Sequence, residues 1–285
     1  MFWYHSTTKH SYNSVRTNPN RLAWEDQPST YKNYPAHYEK RKLDLEREED
    51  HFLYHIAGLT AKKSYPSGEY YLRINPSAGA LYPNELYFQA RGVKGIENGI
   101  YHYEVLSSSL TLLQRITGDE GLEPYLGYKT AMKGYLFLVS AIYYRSSWKY
   151  KNRAFRYCLL DAGHLLGSIE ASALLKSNVV EMRYDIDREK LNLMFGFEDR
   201  EWMLAGCSIA VSIEDQDVSP IEFSLPYVDG SRTFEPNPLI EQAYNETMHL
   251  ASCKREVKAP EFTYHTAKLQ ETLVKRRYQR GLQEG

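Results

Sequence analysis

The sequence predicts an α+β fold, and three stretches carry that prediction. Residues 135–144 (YLFLVSAIYY) form a near-continuous apolar run of strand length, the pattern of a strand buried on both faces. Residues 99–105 and 110–116 are two β-rich runs around the Ser107-Ser108-Ser109 turn, which reads as a hairpin. Over 153–175, Phe155, Cys158, Leu159, Ala162, Leu165, Leu166, Ile169, Ala173 and Leu174 recur at helical spacing. That is the clearest helix in the chain.

The remaining elements follow in order. Residues 1–45 are polar, rich in Tyr and dotted with Asn and Pro, and read as an extended arm lying on the rest. A charged helix is expected over 40–56, with Phe52, Leu53 and Ile56 on its apolar side. The Tyr65-Pro66-Ser67-Gly68 run is a turn signal. Residues 86–90 read as a strand after Pro83, and 207–213 as a last buried strand. Beyond Ile221 the chain turns polar and ends in a charged helical tail over 265–281. The expected division is an arm (1–45), a body (46–225) and a helical extension (226–285).

Gly163, Gly167 and Ala171 form a ladder of small residues on the long helix. A mid-helix Gly costs roughly 1 kcal/mol against Ala, so two in one helix point to close packing with another backbone.

Composition bounds the function classes. With 42% hydrophobic and 25% charged residues the chain has the ordinary mix of a globular protein. Its formal net charge of −1 supplies no overall field for nucleic acid or an anionic membrane. The 25 tyrosines, against 10 Phe and 4 Trp, suit half-buried sheets, an interface or a ring-binding pocket. Cys158, Cys207 and Cys253 form no C-x-x-C pair, and Cys158 and Cys207 sit in apolar runs as small hydrophobes. The first 16 residues carry no apolar segment of secretory type, and 135–144 is too short to span a bilayer. A cytoplasmic location is the expectation.

The sharpest local feature is Asn75-Pro76-Ser77-Ala78-Gly79-Ala80-Leu81-Tyr82-Pro83-Asn84-Glu85-Leu86-Tyr87. Two prolines bracket a run of small residues ahead of a strand. Small side chains expose backbone N–H groups and admit a planar ligand, and Ser77 adds a hydroxyl donor. Arg73 just upstream is a candidate to neutralise a phosphate, whose oxygens match the guanidinium fork. Taken alone, the run is equally a tight loop before a strand.

Residues 76–87 resemble the P-S-A-G-A-L-Y-P-x-E-x-Y signature of nitroreductase-like FMN oxidoreductases, and more narrowly of the SagB-type dehydrogenases that include azoline oxidases. A second block agrees: Trp148-Lys149-Tyr150-Lys151-Asn152-Arg153-Ala154-Phe155-Arg156-Tyr157, then Asp161-Ala162-Gly163-His164. It resembles W-K-Y-G-x-R-A-x-R-Y and D-x-G-H. The opening Tyr4-His5-Ser6-Thr7-Thr8-Lys9-His10 is similar to that of a shorter branch of the same proteins.

The resemblance implies a mixed sheet flanked by helices, in a homodimer with FMN at the interface. It implies that Arg73, Ser77, Ala78, Gly79 and Leu81 line FMN, with Arg145 and Arg153 as further phosphate candidates. Surface salt bridges are the alternative for those two arginines. Lys149 and Tyr150 correspond to a pair proposed to handle the substrate proton, the alternative being a Lys-Tyr dipeptide at a helix start. Two departures stand out. Lys151 replaces a Gly, and the Arg-Arg-Ser-x-Arg segment found near the start of most nitroreductases is missing. Arg41, Lys42, Lys62 and Lys63 are the nearest basic substitutes.

Asp161 and His164 lie three apart on one helix face. A hydrogen bond between helices suits them better than a metal, since no third ligand has convincing spacing. The sequence carries no G-x-S-x-G elbow, Walker loop or G-x-G-x-x-G fingerprint. The expected activity is hydride transfer through flavin in two half-reactions, on a small molecule or a modified peptide. NAD(P)H or O₂ would be the second substrate. The alternatives are a non-catalytic partner in a modification complex and an enzyme that consumes flavin.

Overall fold

The computed structural model describes residues 2–17, 22–65, 68–231, 233–248 and 265–275. Its strands in chain order are β1 (Lys40–Lys42), β2 (Leu59–Tyr65), β3 (Gly68–Arg73), β4 (Asn84–Arg91), β5 (Gly99–Glu104), β6 (Ser109–Arg115), β7 (Glu120–Gly121), β8 (Thr130–Ala141), β9 (Glu181–Arg183), β10 (Trp202–Asp217) and β11 (Ser219–Pro220). Its α-helices are α1 (Phe2–Thr8), α2 (Tyr12–Arg16), α3 (Glu48–Ala57), α4 (Tyr144–Tyr150), α5 (Ala154–Leu175), α6 (Arg188–Met194), α7 (Pro238–Met248) and α8 (Thr266–Lys275).

The main sheet has seven strands in the order β1-β6-β5-β4-β8-β10-β9. Every pairing in it is antiparallel. The one parallel pair among the described residues is the small β11–β7 bridge, so the expected mixture of strand directions lies outside the main sheet.

Successive side chains in a strand point to opposite faces, which divides the core. Leu86, Phe88 and Ala90 of β4, Tyr135, Phe137 and Val139 of β8, and Cys207 and Ile209 of β10 face one side. They pack with Phe52, Leu53 and Ile56 of α3, with the buried stripe of α5, and with Ile240, Ala243 and Tyr244 of α7. Tyr87, Leu136, Leu138 and Met203 face the other side and meet Tyr34, Leu191, Met194, Phe195 and Phe197. Phe88 stands opposite Phe137, and Phe137 opposite Cys207, so one rung crosses the centre of the sheet. Burying a side chain such as Phe137 contributes roughly 1.5–3 kcal/mol relative to leaving it in water.

The expected strand at 86–90, the hairpin, the apolar central strand and the long helix all form. Four expectations are corrected. The stretch 40–56 is not one helix: Lys40–Lys42 is an edge strand, and α3 starts at Glu48. Glu48, Glu49 and Asp50 then sit in the first turn of α3, where carboxylates favour the helix dipole. The apolar run ends as a strand at Ala141, and Tyr144 opens α4. The last strand begins at Trp202 and is buried only through Ile209, with Val211 and Ile213 exposed. Helix α7, inside the polar extension, buries Ile240, Ala243 and Tyr244 in the core. Pro66, Ser67, Cys253 and the expected end of the tail at 276–281 lie outside the described residues.

The arm lies along the body. Tyr4 is buried and its hydroxyl donates to the Asn152 carbonyl at 2.6 Å. Lys32, 2% exposed, donates to Glu201 Oε2 at 2.6 Å and to the Tyr87 hydroxyl at 2.9 Å. The helical stretch Tyr144–Leu175 is long and apolar enough to cross a membrane by length and composition, and 50% of its most apolar window is buried inside the fold.

Candidate active site around the Ser77–Tyr82 loop

Strand β3 delivers Arg73, and β4 leaves from Asn84 in the middle of the sheet. The chain between them turns through a short 3-10 turn, Ala78–Ala80. Gly79 (φ 63°), Ala80 (φ 50°) and Tyr82 (φ 45°) all adopt left-handed backbone. For Ala and Tyr such conformations cost of order 1–3 kcal/mol each and persist only when the surroundings hold them.

Those surroundings are specific. Asp161 of α5 accepts from the Ser77 hydroxyl at 2.6 Å and from the Ala78 amide at 3.1 Å. Ser77 Oγ in turn accepts the Tyr82 amide at 2.8 Å. Tyr70 donates to the Ala80 carbonyl at 2.6 Å. Arg145 donates to the Tyr82 carbonyl at 2.9 Å and to Glu85 Oε1 at 2.5 Å. Of the amides from Ala78 to Tyr82, only that of Gly79 has no acceptor among the described residues.

Lys149 and Tyr150 end α4, and they meet the loop at Gly79. A Cβ on Gly79 would lie 2.7 Å from the Tyr150 hydroxyl and 3.0 Å from Lys149 Nζ. Tyr150 rests against Tyr157 with ring centroids 4.1 Å apart. Burial, with Tyr157 and Asp161 nearby, pushes the Tyr150 phenol up to about 12, so it keeps its proton at neutral pH. Lys151 then turns with φ 47° and ψ −134°, backbone that favours glycine, at the position where the resembling pattern has Gly.

The predicted site residues do not all converge. Ser77, Ala78, Gly79, Lys149 and Tyr150 come together. Leu81 is 1% exposed and packs inward with Tyr144 and Trp148. Arg73 is buried with its guanidinium 4.5 Å from the Tyr82 ring centroid and 5.4 Å from that of Tyr31. It donates to the Thr30 carbonyl of the arm, and its Nε has no partner among the described residues. Arg145 is neither a surface bridge nor open to a ligand, since it is fully buried against Glu85. Burial would raise the Glu85 carboxyl, but the Arg145 charge and a hydrogen bond to His102 hold it at about 2. Arg153 donates to the Thr8 carbonyl of α1 and lies 5.9 Å from the Tyr157 ring centroid. Of the basic substitutes, Arg41 pairs with Asp50 at 2.5 Å and Lys62 with Glu69.

Asp161 was expected to bond a neighbouring helix, and instead it holds the loop, because α5 runs directly beside Ser77. Tyr82 and Glu85 stand in the resembling signature without a stated role, and Tyr70 carries no sequence signal; their roles arise from contacts between separate elements.

No family model matches the chain. The fold is nitroreductase-like. A crystal structure titled as that of a putative nitroreductase from Anabaena variabilis superposes with a TM-score of 0.75 at 27% identity, covering 99% of this chain and 64% of that one. A protein of Methanocaldococcus jannaschii named "Putative nitroreductase" is 30% identical over 125 residues, 43% of this chain and 60% of its own length. The trifolitoxin-processing protein TfxB of Rhizobium leguminosarum is 28% identical over 132 residues, 42% of this chain and 33% of that protein. The chain thus aligns with under two thirds of each.

Proposed function

We propose that this protein is an FMN-dependent oxidoreductase of the SagB type. The observation that carries the reading is the edge-to-edge meeting of the Gly79 turn with Lys149 and Tyr150. A left-handed glycine with an unengaged amide is what a planar ring needs for close approach. Bound FMN would supply hydride acceptance and return at its N5 position.

The chain's own groups do the rest. Ser77 and Ala78 are committed to Asp161, so they shape the loop, and Gly79 is the donor it presents. Lys149 and Tyr150 are the pair that handles the substrate proton: hydride leaving a substrate C–H for the flavin is accompanied by a proton, which this pair accepts, and the reverse transfer serves a substrate that is reduced. The phosphate ligand is the Arg73 guanidinium, whose Nε is buried without an acceptor.

We assign a small molecule or a modified peptide as substrate, with NAD(P)H or O₂ as second substrate. The kinship with a trifolitoxin-processing protein favours the peptide. A homodimer completes the site across α5, where Leu159, Leu160 and Leu174 are 43%, 60% and 38% exposed beside Gly163 and Gly167. A cytoplasmic location accords with two free, buried thiols.

A second reading, a non-catalytic partner in a modification complex, draws on one observation: Arg73, Arg145 and Arg153 all have protein partners. The purified protein decides between them. Absorbance near ~450 nm that co-purifies with the chain, and returns on adding FMN to stripped protein, is the expected result. Colourless protein that takes up no FMN would leave the non-catalytic reading.

A further inference from the structure

The loop from Ser77 to Tyr82 holds left-handed backbone at two non-glycine residues, Ala80 and Tyr82. Tyr70 and Arg145 hold its Ala80 and Tyr82 carbonyls, and one further group holds its start. The Asp161 carboxylate is 2% exposed and sits on the long helix, not on the loop. It takes the Ser77 hydroxyl and the Ala78 amide directly, and it orients Ser77 Oγ to accept the Tyr82 amide. Both ends of the strained segment therefore depend on one carboxylate.

Among the described residues that carboxylate has no ion-pair partner. Burial raises its affinity for a proton, the Ser77 and Ala78 hydrogen bonds oppose this, and His164 contributes weakly. A buried acid without a cation is costly unless its hydrogen bonds are needed. A purely structural Asp on the sheet-facing side of α5 would be replaceable by an apolar residue. Here its partners all belong to the turn that meets Lys149 and Tyr150.

We infer that Asp161 is a positioning residue that locks the Ser77–Tyr82 loop in its left-handed form, so that Gly79 faces the FMN site. The ligand rests on the proposed function, whereas the locking does not. Ser77 follows as a relay: its single hydroxyl hydrogen is committed to Asp161, so it donates nothing to a cofactor.

The experiment uses the full chain as wild type, Asp161→Ala, Asp161→Asn, Ser77→Ala and the Ser77→Ala/Asp161→Ala double variant. Amide hydrogen exchange at Ala78 and Tyr82 is followed without FMN, and FMN affinity and the visible circular dichroism of bound FMN are measured separately. Asp161→Ala should speed exchange at both amides by about tenfold or more and weaken FMN by about ten- to a hundredfold, the scale for a lost charged hydrogen bond. Asp161→Asn keeps one acceptor oxygen and should restore part of both. The double variant should be no worse than Asp161→Ala, because the two residues act as one unit. Any FMN still held by Asp161→Ala should show altered visible dichroism.

Exchange and FMN affinity within twofold of wild type in Asp161→Ala would overturn the inference. If that variant does not fold, Ser77→Ala removes the same relay with a smaller change, and an unaltered Tyr82 exchange rate overturns it equally. A wild type that binds no FMN defeats the cofactor reading alone, and the exchange data still decide the role of Asp161.

Discussion

At the residue scale, backbone geometry separates what the local sequence tolerates from what the fold imposes. Lys151 holds φ 47°, ψ −134° with a side chain that gains nothing from it. Lys151→Gly should therefore stabilise the protein by about 1 kcal/mol or more, the usual cost of such backbone outside glycine. A urea midpoint that falls or stays constant at unchanged m would contradict this. The neighbouring pair has a different prediction. Lys149→Ala should keep FMN and lose turnover by roughly 10²-fold, the scale for removing a group that handles a proton. Tyr150→Phe should lose less than Lys149→Ala, because its stacking on Tyr157 survives. FMN content and single-turnover rates of the two purified variants are the check, and a flavin-free Lys149→Ala protein would make Lys149 a cofactor ligand instead.

At the element scale, α5 does two jobs. Its inner face supplies Phe155, Cys158, Ala162, Leu165, Leu166 and Ile169 to the core and Asp161 to the loop. Its outer face is the ladder of small residues, and no described part of this chain comes within 4 Å of a Cβ on Gly163 or Gly167. The close neighbour expected from the ladder is therefore not among the described residues, and the second copy proposed above is the occupant to test. Gly167→Ala should stabilise a dissociated chain by roughly 0.5–1 kcal/mol through helix propensity. Gly167→Leu should weaken a dimer, since overpacking a close contact costs about 1–3 kcal/mol. Light scattering across a dilution series tests both. A wild type that stays monomeric at all concentrations would remove the reason for the ladder.

At the scale of the whole molecule, the arm is fastened to the far side of the sheet by a buried charge. Lys32 Nζ lies 5.1 Å from the Phe197 ring centroid, 5.3 Å from that of Tyr34, 5.6 Å from Tyr87 and 5.7 Å from Tyr227. Glu201 accepts from Lys32, from Tyr87 and from the Ser140 hydroxyl. Lys32→Met leaves Glu201 buried without its cation and should cost about 3–5 kcal/mol, the scale for breaking such a pair from one side. Lys32→Met with Glu201→Gln should recover much of that, because no charge remains uncompensated. Unfolding free energies from urea titration of the two variants measure the difference, and equal losses would mean that packing rather than charge holds the arm.

The sequence by itself determined the period of each main element. Alternating and continuous apolar runs fixed β4, β5, β6 and the buried part of β8, and the 3.6-residue recurrence fixed α5. Those patterns are legible because each buries a face along its own length. It also marked the loop at Ser77 and the pair Lys149-Tyr150 as one chemistry, through their resemblance to known motifs. The tertiary structure decided what depends on distant contacts. It made Lys40–Lys42 an edge strand, since hydrogen bonding to β6 outweighs charge-rich helix propensity. It turned Arg145 inward to Glu85 and Leu81 into the core, because a residue's facing follows from the neighbours that meet it. It joined Asp161 to Ser77 across 84 positions of chain, a bond that no local pattern encodes.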